Sequence, residues 1–126
     1  MSRLFQFNYS YERDIVTTTC KFTVAGASGA PTLVTSQSKG IVSVTRDSAG
    51  QYTIVLKDKA FKLLSVEACT KNATGISAAP NVGVKTDNVN GTTPSITIVC
   101  STGGVATDPA DLDAVFLVIR TRLAST

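Results

Sequence analysis

An all-β fold is what the sequence predicts: an antiparallel β-sandwich or jelly-roll-like barrel of about eight strands in one domain. Three observations carry it. Residues 40–58, GIVSVTRDSAGQYTIVLKD, place two β-rich runs on either side of Asp47-Ser48-Ala49-Gly50. In these runs apolar and polar residues alternate with a period of two, the pattern of a hairpin with one buried face. Turn-forming clusters of Gly, Pro, Asn and Asp then recur at short intervals along the rest of the chain. Finally, no amphipathic helix of usable length appears, which disfavours a parallel α/β sheet.

The elements follow in order. Leu4–Tyr9 alternates Phe5, Phe7 and Tyr9 against Leu4, Gln6 and Asn8, as a strand-like arm within residues 1–12. Ile15–Val24 is rich in Val and Thr, which suit a pleated surface. Ala25–Pro31 is a small-residue loop broken by Gly and Pro. Leu33–Ser36 reads as a short edge strand. Ile41–Arg46 and Gln51–Lys57 form the hairpin, with Val42 and Val44 sharing a face, and Tyr52, Ile54 and Leu56 inward. Asp58–Leu64 is the one plausible helical turn. Leu64–Thr70 is a strand with Leu64, Val66 and Ala68 on one face. Lys71–Ala79 is turn-like, and Asn81–Thr86 is a strand. Asn90-Gly91 is a strong hairpin signal. Ser95–Ser101 follows with Ile96, Ile98 and Cys100 inward. Thr102–Asp113 is a loop. Ala114–Arg122 closes the chain, with Val115, Leu117 and Ile119 opposed to Phe116, Val118 and Arg120. This last strand is apolar on both faces, so it lies mid-sheet or turns one face to a neighbouring subunit.

A chain of 126 residues is one domain by length and buries roughly two-thirds of its unfolded surface. No run of about 18 apolar residues occurs, so no membrane span is expected. MSRLFQFNYSYERD lacks a continuous apolar stretch, so no secretory signal is expected and folding is assigned to a cytoplasm. The net charge is +3, with the basic residues scattered along the sequence. A nucleic-acid footprint would gather them on one face, so no nucleic acid is expected as a partner. The cysteines Cys20, Cys69 and Cys100 fit no metal or redox spacing. Parity places Cys20 and Cys100 in the core and leaves Cys69 exposed. Three reduced thiols are expected, with one disulfide or an intermolecular bridge as the alternative.

Catalytic chemistry is scarce. The chain has no histidine, which removes the usual general base and any Ser-His-Asp or Cys-His arrangement. No phosphate-binding glycine motif is present. Carboxylate pairs and Cys69 remain as routes to an enzyme, but Cys69 has no His to lower its pKa. The acidic cluster Asp108, Asp111 and Asp113 could take calcium, although its spacing is not that of an EF-hand loop. Capping of backbone amides is the simpler expectation. No cofactor is expected. A carbohydrate site would want exposed aromatic platforms; Trp is absent and Tyr11 is a weak candidate.

Gly40, Val42, Val44, Thr45, Arg46, Gly50, Tyr52, Ile54, Leu56 and Asp58, followed by LLSVEA, resemble small structural proteins of tailed bacteriophages and prophages. Asp108-Pro109 and Asp111 before the apolar strand Val115–Ile119 resemble the ending of that group. The resemblance covers residues 40–70 and 105–122. It implies a virion component, in the first place a capsid decoration or cement protein, often trimeric, bound to the major capsid protein or another virion protein. A tail, baseplate or fibre-associated protein is the alternative, including one that binds a receptor or carbohydrate. The contact residues expected are Leu4, Phe5, Phe7, Tyr9 and Tyr11 on the arm, the Ala25–Pro31 loop, and Phe116 and Val118 on the last strand. The arm either adds to a partner's sheet edge or pairs within its own sandwich.

Overall fold

The computed structural model describes residues 15–25, 28–71, 80–109 and 114–123. Nine strands occur there: β1 Ile15–Thr23, β2 Thr32–Leu33, β3 Ile41–Ser48, β4 Gln51–Leu56, β5 Lys62–Lys71, β6 Asn81–Asn88, β7 Ser95–Thr102, β8 Val105–Ala106 and β9 Ala114–Arg122. One sheet runs β2-β1-β9-β5, the other β3-β4-β7-β6 with β8 paired to β7. All pairings are antiparallel. The all-β expectation holds. The N-terminal arm, including Leu4, Phe5, Phe7, Tyr9 and Tyr11, lies outside the described residues.

The core lies between the sheets. Phe22, Val115, Leu117 and Ile119 of the first sheet meet Tyr52, Ile54, Ile96 and Ile98 of the second, all buried. Phe22 and Tyr52 meet across the interface, ring centroids 5.3 Å apart. Each such side chain contributes about 1.5–3 kcal/mol when removed from water. Strand β9 sits between β1 and β5, which explains why it is apolar on both parities.

Several local expectations need correction. A bulge between Ile41 and Ser43 turns Val42 outward, 56% exposed, while Ile41 and Val44 face the core. A second bulge, between Leu63 and Ser65, does the same to Leu64; Leu63 and Val66 pack against the core instead. Ala68 keeps the face of Val66, opposite Leu117, but is exposed. A bulge inserts one residue and so reverses the parity on which a period-two reading depends. No helical turn forms over Asp58–Leu64. Ala60 donates its amide to the Val89 carbonyl and Phe61 to that of Arg122, which ties this segment to both sheets as an extended crossover. In place of the expected edge strand Leu33–Ser36, the strand is Thr32–Leu33 and Thr35–Gln37 is a 3-10 turn. The expected loop Thr102–Asp113 contains β8. The Asn90-Gly91 hairpin forms, but its connection runs from Val89 to Pro94, because Val89 plugs the core and Pro94 is buried.

Candidate interaction face

Strand alternation decides which side chains face outward. In β9 the odd-numbered residues 115 to 121 are buried, so Phe116, Val118, Arg120 and Arg122 share the opposite face. The pairing register adds their neighbours. Cys69 lies opposite Phe116, Glu67 opposite Val118 and Lys62 opposite Arg122 on β5, with Lys71 opposite Ala114. On β1, Lys21 is opposite Phe116 and Thr19 opposite Val118. Lys39 joins them through its two-way backbone pairing with Thr19.

The two expected contact residues of the last strand, Phe116 and Val118, thus lie at the centre of one sheet face, half-buried by their neighbours. The Lys21 ammonium lies 5.1 Å from the centre of the Phe116 ring, a cation–π contact worth about 0.5–1 kcal/mol at an exposed site. Its Nζ also donates to Gln37 Oε1 at 2.6 Å. Arg120 pairs with Glu67. Cys69 is exposed, while Cys20 and Cys100 are buried, and all three thiols are free. Burial pushes the Cys20 thiol up to about 12 and the Cys100 thiol up to about 11, the latter with a smaller push from Asp108.

The basic residues look scattered in sequence, yet six of them, Lys21, Lys39, Lys62, Lys71, Arg120 and Arg122, share this face. Glu67 is the only carboxylate on it among the described residues. The clustering escapes the sequence because it depends on register between strands far apart in the chain, and it overturns the scattered-charge ground on which nucleic acid was set aside. The opposite sheet presents a different outer surface. Thr45, Thr53, Thr97 and Thr86 form a row across β3, β4, β7 and β6, with Thr53 and Thr97 hydroxyls 3.1 Å apart.

A third constellation holds one end of the sandwich. Asp108 accepts from Arg46 Nε at 3.0 Å and Nη2 at 2.8 Å, from the Tyr52 hydroxyl at 2.9 Å, and from the Gly50 amide at 2.9 Å. The Ser28 amide donates to it at 3.3 Å. The Arg46 guanidinium, aided by the Gly50 amide, the Tyr52 hydroxyl and the Ser28 amide, outweighs burial and holds the Asp108 carboxyl below the carboxylate range. Burial, then the bond to Asp108, pushes the Tyr52 phenol up. With both oxygens occupied by five donors, Asp108 acts as a clasp between the β3–β4 hairpin and the chain after β8. Asp111 and Asp113, the other members of the expected calcium cluster, lie outside the described residues.

Gly50 makes this clasp possible. Its φ of +71° is left-handed, and a Cβ there would lie 2.4 Å from the Cys100 carbonyl oxygen. Its own carbonyl accepts from the Cys100 amide at 2.7 Å.

Comparison of the chain with family models, curated proteins and solved structures found no match.

The β1–β9–β5 face offers an apolar centre, a charged surround and a backbone fixed by strand register. Among the described residues no helix is long and apolar enough to cross a membrane.

Proposed function

We propose that this chain is a bacteriophage virion structural protein, a capsid decoration or cement protein that binds the capsid exterior. Its contacts with the major capsid protein or another virion protein stabilise the shell by mass action, since only the assembled form binds it. The observation that carries the reading is the outer face of β1, β9 and β5, where Phe116 and Val118 sit on the central strand of the three. The Asp108 clasp supports it too. Arg46, Gly50 and Tyr52 from one half of the phage-like motif bond Asp108 from the other, so the resemblance concerns one piece of architecture. A trimer would present several such faces and raise avidity at each capsid site.

The test adds purified protein to heads of the encoding phage or prophage that have been stripped of it. Saturable co-sedimentation and a higher temperature of head disruption are expected. Heads that neither retain the protein nor gain thermal resistance would overturn the reading. Deletion of residues 1–12 is expected to abolish head binding while leaving the sandwich folded; full occupancy by the truncated protein would remove the arm from the contact.

A further inference from the structure

We infer that the outer face of the β1–β9–β5 sheet docks against an acidic polypeptide surface with an apolar patch at its middle. The inference rests on the capsid-binding reading and adds to it the chemistry of the partner. Six cations and one carboxylate give this face a net charge of +5 among the described residues, while the other described residues hold four cations and four carboxylates and net zero. The one carboxylate, Glu67, is already matched by Arg120. Among the described residues the remaining cations have no carboxylate on their own face.

Their arrangement resembles a protein interface in cross-section. Phe116 and Val118 form an apolar centre with Lys21 and Arg120 beside it and Lys39, Lys62, Lys71 and Arg122 further out, the layout of an apolar core within a polar rim. Long lysine stems can lie along apolar surface while their ammonium groups reach outward. A second copy meeting this face with its own would set cation against cation, which costs several kcal/mol in an interface. That argues against a face-to-face homodimer. Single-stranded nucleic acid would want successive aromatic platforms for base stacking. Among the described residues two rings lie beside these cations, Phe116 and Phe61, and the ammonium groups of Lys21 and Lys62 already cover them. A flat partner bearing Asp and Glu around an apolar patch satisfies both the rim and the centre.

The experiment compares two triple charge reversals of equal charge change. Lys39→Glu, Lys62→Glu and Lys71→Glu alter exposed positions on the face; Lys57→Glu, Lys59→Glu and Lys85→Glu alter exposed positions off it. Circular dichroism first establishes that each variant folds, and Lys→Gln versions replace any that does not. Binding to stripped heads is expected to weaken at least tenfold for the face variant and less than threefold for the control. Equal binding by the two variants would overturn the docking face and leave the capsid reading standing. Should the native protein bind no heads, the capsid reading fails. Fluorescence anisotropy with labelled polyglutamate and oligo-dT of equal charge then decides the face. Polyglutamate binding lost in the face variant would uphold it. Preference for oligo-dT, or no binding to polyglutamate, would overturn it.

Discussion

At the scale of single residues, Asp108 has the largest consequences. Its side chain is buried and accepts from Arg46, Tyr52, Gly50 and Ser28. Asp108→Ala leaves those donors without their acceptor and is expected to cost about 2–3 kcal/mol in urea unfolding. Because folding lowers the Asp108 pKa from its ordinary 3.8, the native state favours the charged form. The resulting stability is present above the unfolded pKa and is lost as pH falls through about 4 towards the folded value. Asp108→Asn is expected to flatten that acid limb, as read from unfolding midpoints between about pH 6 and pH 2. An unchanged limb in the variant would assign the acid sensitivity elsewhere. At the alkaline end, Tyr52, Cys20 and Cys100 have raised pKa values. Their contribution is present below the unfolded pKa values and is lost as pH rises past about 9. Gly50→Ala combines a left-handed backbone with a backbone clash and is expected to cost about 2 kcal/mol or more. Thiol labelling of the native protein is expected to modify Cys69 quickly and Cys20 and Cys100 only on unfolding. Equal rates at all three would contradict their placement.

At the scale of elements, the sequence was most informative where alternation runs unbroken. The inward residues of β4, β7 and β9 follow directly from period-two patterning, and so do the buried Cys20 and Cys100. It was least informative where a bulge reverses parity, as at Val42 and Leu64. Alternation cannot reveal an inserted residue whose cause lies in the partner strand. The Asp58–Leu64 segment misleads for a related reason: its backbone partners, Val89 and Arg122, are remote in the chain. Phe116 and Val118 were legible as an outward pair, but the six cations around them were not, because register alone collects them. The Asp108 side chain was visible as part of an acidic loop and of the phage-like ending, and nothing local to it names Arg46 or Tyr52. Hydrogen exchange reads the element order directly. Amides of β4, β7 and β9, each flanked on both sides, are expected to exchange most slowly, and those of β2, β6 and β8 fastest. Uniform protection across edge and central strands would contradict the sheet order.

For the whole molecule, charge and topology point the same way. Interleaving the chain between two sheets puts apolar side chains between them and leaves two unlike outer faces. One has a row of threonines; the other has Phe116 and Val118 ringed by cations. On the proposed reading, a body with one such face attaches to a large assembly, where a few contacts per copy are multiplied by the number of copies. The central claim is that another polypeptide grips this face. Its most direct test is a cryo-electron-microscopy reconstruction of heads saturated with the protein. The account predicts density for the sandwich on the shell, with β1, β9 and β5 turned towards it and acidic capsid residues opposite Lys39, Lys62 and Lys71. Density with that face turned to solvent, or heads bare of the protein at saturating concentration, would contradict it.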